Sequence, residues 1–217
     1  MTELERMDDF FTKRTEDYDG HMLRDVEGCR QGYVKMASLV PEGAKTLLDL
    51  GCGTGLELDE IFKLLPDISV TGIDLTNSML ERLKQKHPDK NIQLICEDYF
   101  KVDFGKEKFD CAVSFQTLHH FTHSQKSGLY RKIHSALKDA GVYIECDYMV
   151  LKQEEEDFYF LENERMRKEQ NIPEGVFCHY DTPCTVENQI KLLKNAGFKT
   201  VKQVFRMENT TMLVASK

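Results

Sequence analysis

Three carboxylates stand at the ends of three successive apolar runs: Asp49 in "TLLDLGCGTGLELDEIF", Asp74 in "SVTGID" and Asp98 in "IQLICED". Gly51, Gly53 and Gly55 follow the first run directly and lead into a helical stretch. A glycine turn lets the backbone approach a ligand closely, and ligands of open parallel sheets bind at the carboxyl ends of the strands. Asp49, just before the turn, would repel a pyrophosphate and attract a ligand that carries an ammonium group. Asp74 comes nineteen residues after Gly55, where a carboxylate accepts hydrogen bonds from ribose hydroxyls. That step alone suits a nicotinamide dinucleotide equally well. Asp98 is placed to accept from the exocyclic amine of an adenine, with Tyr99 and Phe100 beside it for apolar ring contacts.

Spacing narrows the ligand. A dinucleotide fingerprint needs glycine at its sixth position, where this chain has Leu56, and a P-loop needs Lys and then Ser or Thr, neither of which follows Gly55. S-adenosylmethionine carries an ammonium, a ribose and an adenine, and answers to all three acids. Further groups lie beyond the fourth and fifth apolar runs. "FQTLHHFTHS" supplies His119, His120 and His123, and "ECDYM" supplies Asp147 and Tyr148. His119 or His120 is the candidate base. Asp147 either binds a cationic acceptor or caps the next segment. His119 and His123 have the spacing that puts two imidazoles on one helix face. No third ligand and no CxxC pair accompany them, so no metal is expected, and the expected arrangement is one histidine in the pocket with the others solvated.

The elements that must hold these groups alternate. "TLLDL", "SVTGID", "IQLICED", "FDCAVSF" and "GVYIECD" read as strands with helices between them, which implies a parallel sheet. The spacing of Ser78 and Glu81 predicts a capping box for the second crossover helix, which carries Met79, Leu80 and Leu83. A later helix places Leu129, Ile133 and Leu137 in one stripe, and Gly141 is expected to end it. The charged segment 151–184 then interrupts the alternation as a lid over the substrate mouth, with Phe158, Tyr159, Phe160, His179 and Tyr180 on it and a solvated start at Glu154 to Glu156. Val186, Ile190 and Leu193 form a closing helix, and "KTVKQVFRMENTTMLVASK" reads as an antiparallel strand pair turning at Glu208 and Asn209. The organisation is one domain, with a helical cap over 1–40, a cofactor-binding core over 41–150, the lid over 151–184 and the closing elements over 185–217.

Composition sets the remaining bounds. A net charge of -8 and no basic cluster argue against a nucleic-acid partner. No run reaches the length of a membrane span or of a signal peptide's apolar core, so a cytoplasmic, membrane-free protein is expected. Seven scattered cysteines read as buried thiols in a reducing compartment.

The motifs "LLDLGCGTG", "VTGIDLTNSML" and "CEDYF" followed by "FDCAVSFQTLHHF" resemble those of the class I S-adenosylmethionine-dependent methyltransferases over roughly Lys45 to Asp147. The resemblance implies an α/β, Rossmann-like, doubly wound sheet of seven strands, mostly parallel with the last antiparallel. It implies S-adenosylmethionine as cofactor and S-adenosylhomocysteine as product. By the same resemblance Asp49 and the backbone of Gly51, Gly53 and Gly55 hold the methionine end, Asp74 the ribose and Asp98 the adenine, with Tyr99 alongside. Tyr18, in "RTEDYDG", looks like the aromatic that many relatives bring over the cofactor. Transfer of a sulfonium methyl to O, N or S of a small-molecule acceptor is the expected activity, with His119, His120 and Asp147 as catalytic candidates. The competing class is a cofactor-binding sensor without transferase activity. An arsenic methyltransferase using Cys146, Cys178 and Cys184 is a minor alternative that their spacing does not require.

Overall fold

The computed structural model describes residues 3–217. Three short helices come first, α1 (Met7–Arg14), α2 (Tyr18–Arg24) and α3 (Cys29–Ala37). They form the helical cap expected over 1–40, whose first two residues lie outside the described span. From Thr46 strands and helices alternate: β1 (Thr46–Leu50), α4 (Leu56–Leu64), β2 (Ser69–Asp74), α5 (Asn77–Lys86), β3 (Ile92–Cys96), β4 (Phe109–Phe115), α6 (His123–Ala136) and β5 (Leu137–Tyr148). Helix α7 (Gln153–Glu169), in the stretch expected as a lid, helix α8 (Val186–Asn195) and the hairpin β6 (Thr200–Met207) and β7 (Thr210–Ser216) complete the chain.

The seven strands form one sheet in the order β3-β2-β1-β4-β5-β7-β6. β7 runs antiparallel to both of its neighbours, and the other pairings are parallel. Alternate side chains of each strand go to opposite faces. Leu47, Val113 and Ile144 pack with Met36 and Ile61 of α3 and α4, whereas Leu48, Leu50 and Tyr143 pack with Ile133 and Leu193 of α6 and α8. Each such side chain contributes about 1.5–3 kcal/mol by its burial. Strand order reverses between β1 and β4, and the ends of these two strands frame the crevice in which an open α/β sheet takes its ligand.

Two helix ends differ from expectation. Thr76, not Ser78, is the N-cap of α5. Ser78 Oγ instead lies 2.8 Å from Thr15 Oγ1 of the N-terminal cap, and Glu81 accepts from Asn77. The capping box in this fold is at α6, where Thr122 and Gln125 bond reciprocally. Gly141 does not end α6, because Leu137 already pairs with Phe109 in the β4–β5 ladder. The apolar stripe runs straight from helix into strand, and Gly141 lies inside β5.

The segment after α7 returns to the N-terminus. Met7 N donates to Phe177 O at 3.0 Å, and His179 N to Glu5 O at 2.9 Å. This pairing brings His179 and Asp181 over the carboxyl ends of the strands. Among the described residues no helix is long and apolar enough to cross a membrane.

Candidate functional site

The glycine turn divides its labour. Gly51, Gly53 and Gly55 all have positive φ, which L side chains avoid. A Cβ on Gly51 would run into Thr117 and one on Gly55 into Leu83, so those two serve packing. A Cβ on Gly53 would meet nothing nearer than the Tyr18 ring at 3.9 Å. Only Gly53 keeps its open face toward a cleft. Gly53 N donates to Asp74 Oδ2 at 2.9 Å and Thr76 N to Asp74 Oδ1 at 2.8 Å, which holds the turn to the end of β2. Tyr18, Gly51, Gly53, Asp74 and Tyr99 are part of the cleft wall. Asp49, Gly55 and Asp98 lie outside it. Asp98 sits two residues beyond the end of β3 and accepts from Phe100 N at 2.8 Å.

Behind the turn lies a group that sequence reasoning missed. Glu57, in the first turn of α4, is buried beside Asp49. Both carboxylate oxygens of Asp49 and Oε1 of Glu57 are buried with no partner other than each other, the raised Glu57 keeping a proton that it shares with Asp49. Burial pushes Asp49 up to about 7 and Glu57 well above the carboxylate range, each worsened by other acids nearby. Two buried acids without a cation are costly. The methionine ammonium of S-adenosylmethionine is the kind of group that would relieve them, and on this observation the residues fit that cofactor. Arg82 Nη1 donates to the carbonyls of Thr15 and Glu16, and Thr54 Oγ1 donates to Asp19. These bonds fasten the N-terminal cap, and Tyr18 with it, over the turn.

A larger cavity of about 770 Å³ adjoins the cleft, and Phe11, Tyr18, Gln116 and His120 line both. His119 and His120 both stand in its wall together with Tyr148, His179 and Asp181. His119 Nδ1 lies 2.6 Å from Asp147 Oδ1, and its Nε2 lies 3.5 Å from Asp181 Oδ1. Burial pulls His119 down, but Asp147 and then Asp181 outweigh it and hold the imidazole up at about 9. Burial and the adjacent His119 charge push His120 well below its ordinary range. His120 Nδ1 is 3.1 Å from the Tyr180 carbonyl, so this nitrogen carries the proton and Nε2 is left as an acceptor.

Several expectations are corrected here. His119 precedes α6 and His123 opens it, so the two do not share a helix face. Of the three histidines in this stretch two line the cavity rather than one, and His123 pairs with Glu156 at 2.7 Å. Glu156 is therefore buried, unlike the exposed Glu154 and Glu155. No residue of α7 lines the cavity; the segment's contribution comes from His179 and Asp181 behind the helix. Phe158 is exposed, and Tyr159 meets Tyr148 through their hydroxyls at 3.2 Å. Asp147 neither caps the lid nor stands alone, since it belongs to His119. All seven cysteines are free, and Cys96 is the exposed one.

Comparison with known proteins agrees with this geometry. Residues 47–141 match a family model described as a methyltransferase domain. The carboxy-S-adenosyl-L-methionine synthase of Helicobacter pylori strain G27 is 30% identical over 187 residues, covering 80% of this chain and 77% of that protein. The synthase of the same name from Nautilia profundicola is 26% identical, covering 79% and 76%. Human N-acetylserotonin methyltransferase in complex with S-adenosylmethionine has the same fold, with a TM-score of 0.64 at 19% identity, over 87% of this chain and 52% of that one. The chain thus spans about half of the human enzyme. By the 30% identical relative and the methyltransferase-domain match, the chain belongs to the class I S-adenosylmethionine-dependent methyltransferases, with S-adenosylmethionine as its cofactor.

Proposed function

We propose that the protein transfers the methyl group of S-adenosylmethionine to an O, N or S atom of a small-molecule acceptor that gives up a proton to His119. The observation that carries this reading is the 2.6 Å contact between His119 Nδ1 and Asp147 Oδ1, in the wall of a cavity continuous with the cofactor cleft at His120. When bound, the cofactor supplies an electrophilic sulfonium methyl. The charge of Asp49 and Glu57 behind the turn would attract its ammonium, the open face of Gly53 would receive its methionine end, Asp74 in the cleft wall would take the ribose, and Asp98, just beyond that wall, would take the adenine. Tyr18 and Tyr99 shut water from its rings. Asp147 fixes the His119 tautomer so that Nε2, which faces Asp181 in the same cavity wall, takes the acceptor proton once it is itself unprotonated. His120 stays uncharged at the seam between the two spaces. Catalysis otherwise amounts to alignment and exclusion of water.

The test is turnover of S-adenosylmethionine to S-adenosylhomocysteine with a panel of hydroxyl, amine and thiol acceptors. Tight cofactor binding with no acceptor turned over would favour a sensor instead. A second reading comes from the relatives' name, under which the chain would make carboxy-S-adenosylmethionine. Mass spectrometry separates the two, since that product is the cofactor enlarged by one carboxyl group and no methylated acceptor appears. The charges around the cavity favour methyl transfer. Asp17, Asp25, Glu27, Asp181 and Glu208 line it against Arg14, Arg24 and the protonated His119, and Arg14 is engaged by Glu5 at 3.2 Å. An anionic carboxyl donor would meet more acids than bases.

A further inference from the structure

We propose that His123, Glu156 and Cys184 form a binding site for a divalent transition-metal cation of the zinc class, which fastens helix α7 to the core. Nε2 of His123, a carboxylate oxygen of Glu156 and Sγ of Cys184 all lie within 4.8 Å of one another. The three come from separate segments. His123 is the first residue of α6, Glu156 stands in the first turn of α7, and Cys184 precedes Thr185, the N-cap of α8. A cation held there joins the starts of three helices.

The donor set selects the ion. Imidazole, carboxylate and thiolate together suit zinc and its neighbours, whereas calcium and magnesium require oxygen ligands. The absence of a CxxC pair argues against a sequence-local zinc site, and this one is assembled only by the fold. His123 Nε2 lies 2.7 Å from Glu156 Oε1 and also faces Cys184, and its approach to these two groups makes no well-aligned hydrogen bond. The two atoms approach without hydrogen-bond alignment, as ligand atoms aimed at a common point do. With metal–ligand distances of about 2.0–2.3 Å, the atoms of a tetrahedral site sit about 3.5 Å apart, and these three lie within 4.8 Å of one another.

The surroundings are those of a supported site. Lys126, buried in the core, has its Nζ 3.3 Å from Cys184 Sγ, and an N–H donor to sulfur steadies a coordinating thiolate. Glu156 is oriented by Thr185 N, which donates to Oε2, and by Asn188 Nδ2, which donates to both oxygens. Cys184, Glu156 and Nε2 of His123 are buried, and the ion would enter past the rest of the His123 side chain, which is 43% exposed. His119, His120 and Asp181 also converge within 4.8 Å. That set offers no sulfur, and it lines the acceptor cavity.

The test is titration of the full chain, without a polyhistidine tag, with Co2+ and then Zn2+. The expected result is one Co2+ per chain with a sulfur-to-cobalt charge-transfer band in the near ultraviolet, displaced by Zn2+. Cys184→Ser should abolish the band and weaken Co2+ binding by more than the about 10–100-fold that loss of an outer-shell partner costs, with S-adenosylmethionine affinity unchanged as proof of folding. Glu156→Gln should weaken binding while keeping the band. The proposal is overturned by wild-type protein that takes up no Co2+, by uptake without the band, or by full-strength uptake in Cys184→Ser. Loss of uptake in His120→Ala with the Cys184→Ser variant unaffected overturns it as well, because the ion then sits in the cavity.

Discussion

Glu57 and Asp49 are neighbouring buried acids that share one proton between them, and no group outside the pair donates to either Asp49 oxygen or to Oε1 of Glu57. Both pKa values are raised, Asp49 to about 7. An acid whose pKa is raised by folding loses stability as pH climbs from its unfolded value toward its folded one. The cofactor-free protein should therefore become less stable between about pH 4 and pH 7 on this account, while cofactor binding should tighten as pH rises through 7 and the ammonium meets a full negative charge. Asp49→Asn should raise the melting temperature of the free protein and cost about 2–3 kcal/mol of S-adenosylmethionine affinity. Calorimetry at pH 6 and pH 8, with thermal melts, checks both signs. A variant that melts lower and binds normally would show the pair to be structural.

Gly53 and Gly55 are expected to fail differently. Alanine at 55 must push against Leu83, so Gly55→Ala should lose soluble, cooperative folding. Alanine at 53 meets only open space below Tyr18 and carries the strain of a positive φ, about 1 kcal/mol. Gly53→Ala should fold, melt slightly lower and bind S-adenosylmethionine at least tenfold more weakly. Equal affinity would move the methionine end away from this turn.

The difference between these glycines marks what is legible in a sequence. The turn, its three acids and the alternation of strands and helices were readable because each is a local pattern: an apolar run, a breaker, a charge at a fixed offset. Glu57 was not, since an acid in the first turn of a helix ordinarily answers the helix dipole and nothing local says that it is buried. His179 and Asp181 reach the cavity only because the chain after α7 pairs with Glu5 and Met7, a contact between distant segments. Leu137 misled because one apolar residue serves both as the end of a helical stripe and as the first rung of β5. Asp147 was visible as a residue, but its partner became known only when β4 and β5 were set side by side.

Asp74 ties the turn to the ligand. Each of its oxygens already accepts from one backbone N–H, of Gly53 and of Thr76, and a carboxylate has lone pairs to spare for hydroxyls. Asp74→Ala should weaken S-adenosylmethionine and S-adenosylhomocysteine equally, by about 1.5–3 kcal/mol per charged hydrogen bond lost. Side-by-side calorimetry decides. An unchanged dissociation constant removes Asp74 from the site, and a loss confined to one ligand assigns it to the sulfonium end instead.

His119 and Asp147 make the sharpest statement about chemistry. The imidazole is held at about 9, above its ordinary value of about 6.5, so at neutral pH it is mostly protonated and only the neutral fraction accepts a proton. With saturating cofactor, kcat/KM should climb with pH and level off above about 9. The sign for stability is opposite. A histidine whose folded pKa is raised lends its stability below about 6.5 and loses it as pH rises through 9, so the enzyme should be most active where this pair supports the fold least. Asp147→Asn removes the largest force that raises the pKa, and the activity profile should move toward the ordinary histidine range while its plateau falls, because the tautomer is no longer fixed. His119→Ala should leave cofactor affinity intact and lower the plateau by about 100-fold or more. A profile that stays flat from pH 7 to 10 in wild type, or a plateau untouched by either substitution, would mean that the acceptor arrives already deprotonated and that the dyad only shapes the cavity.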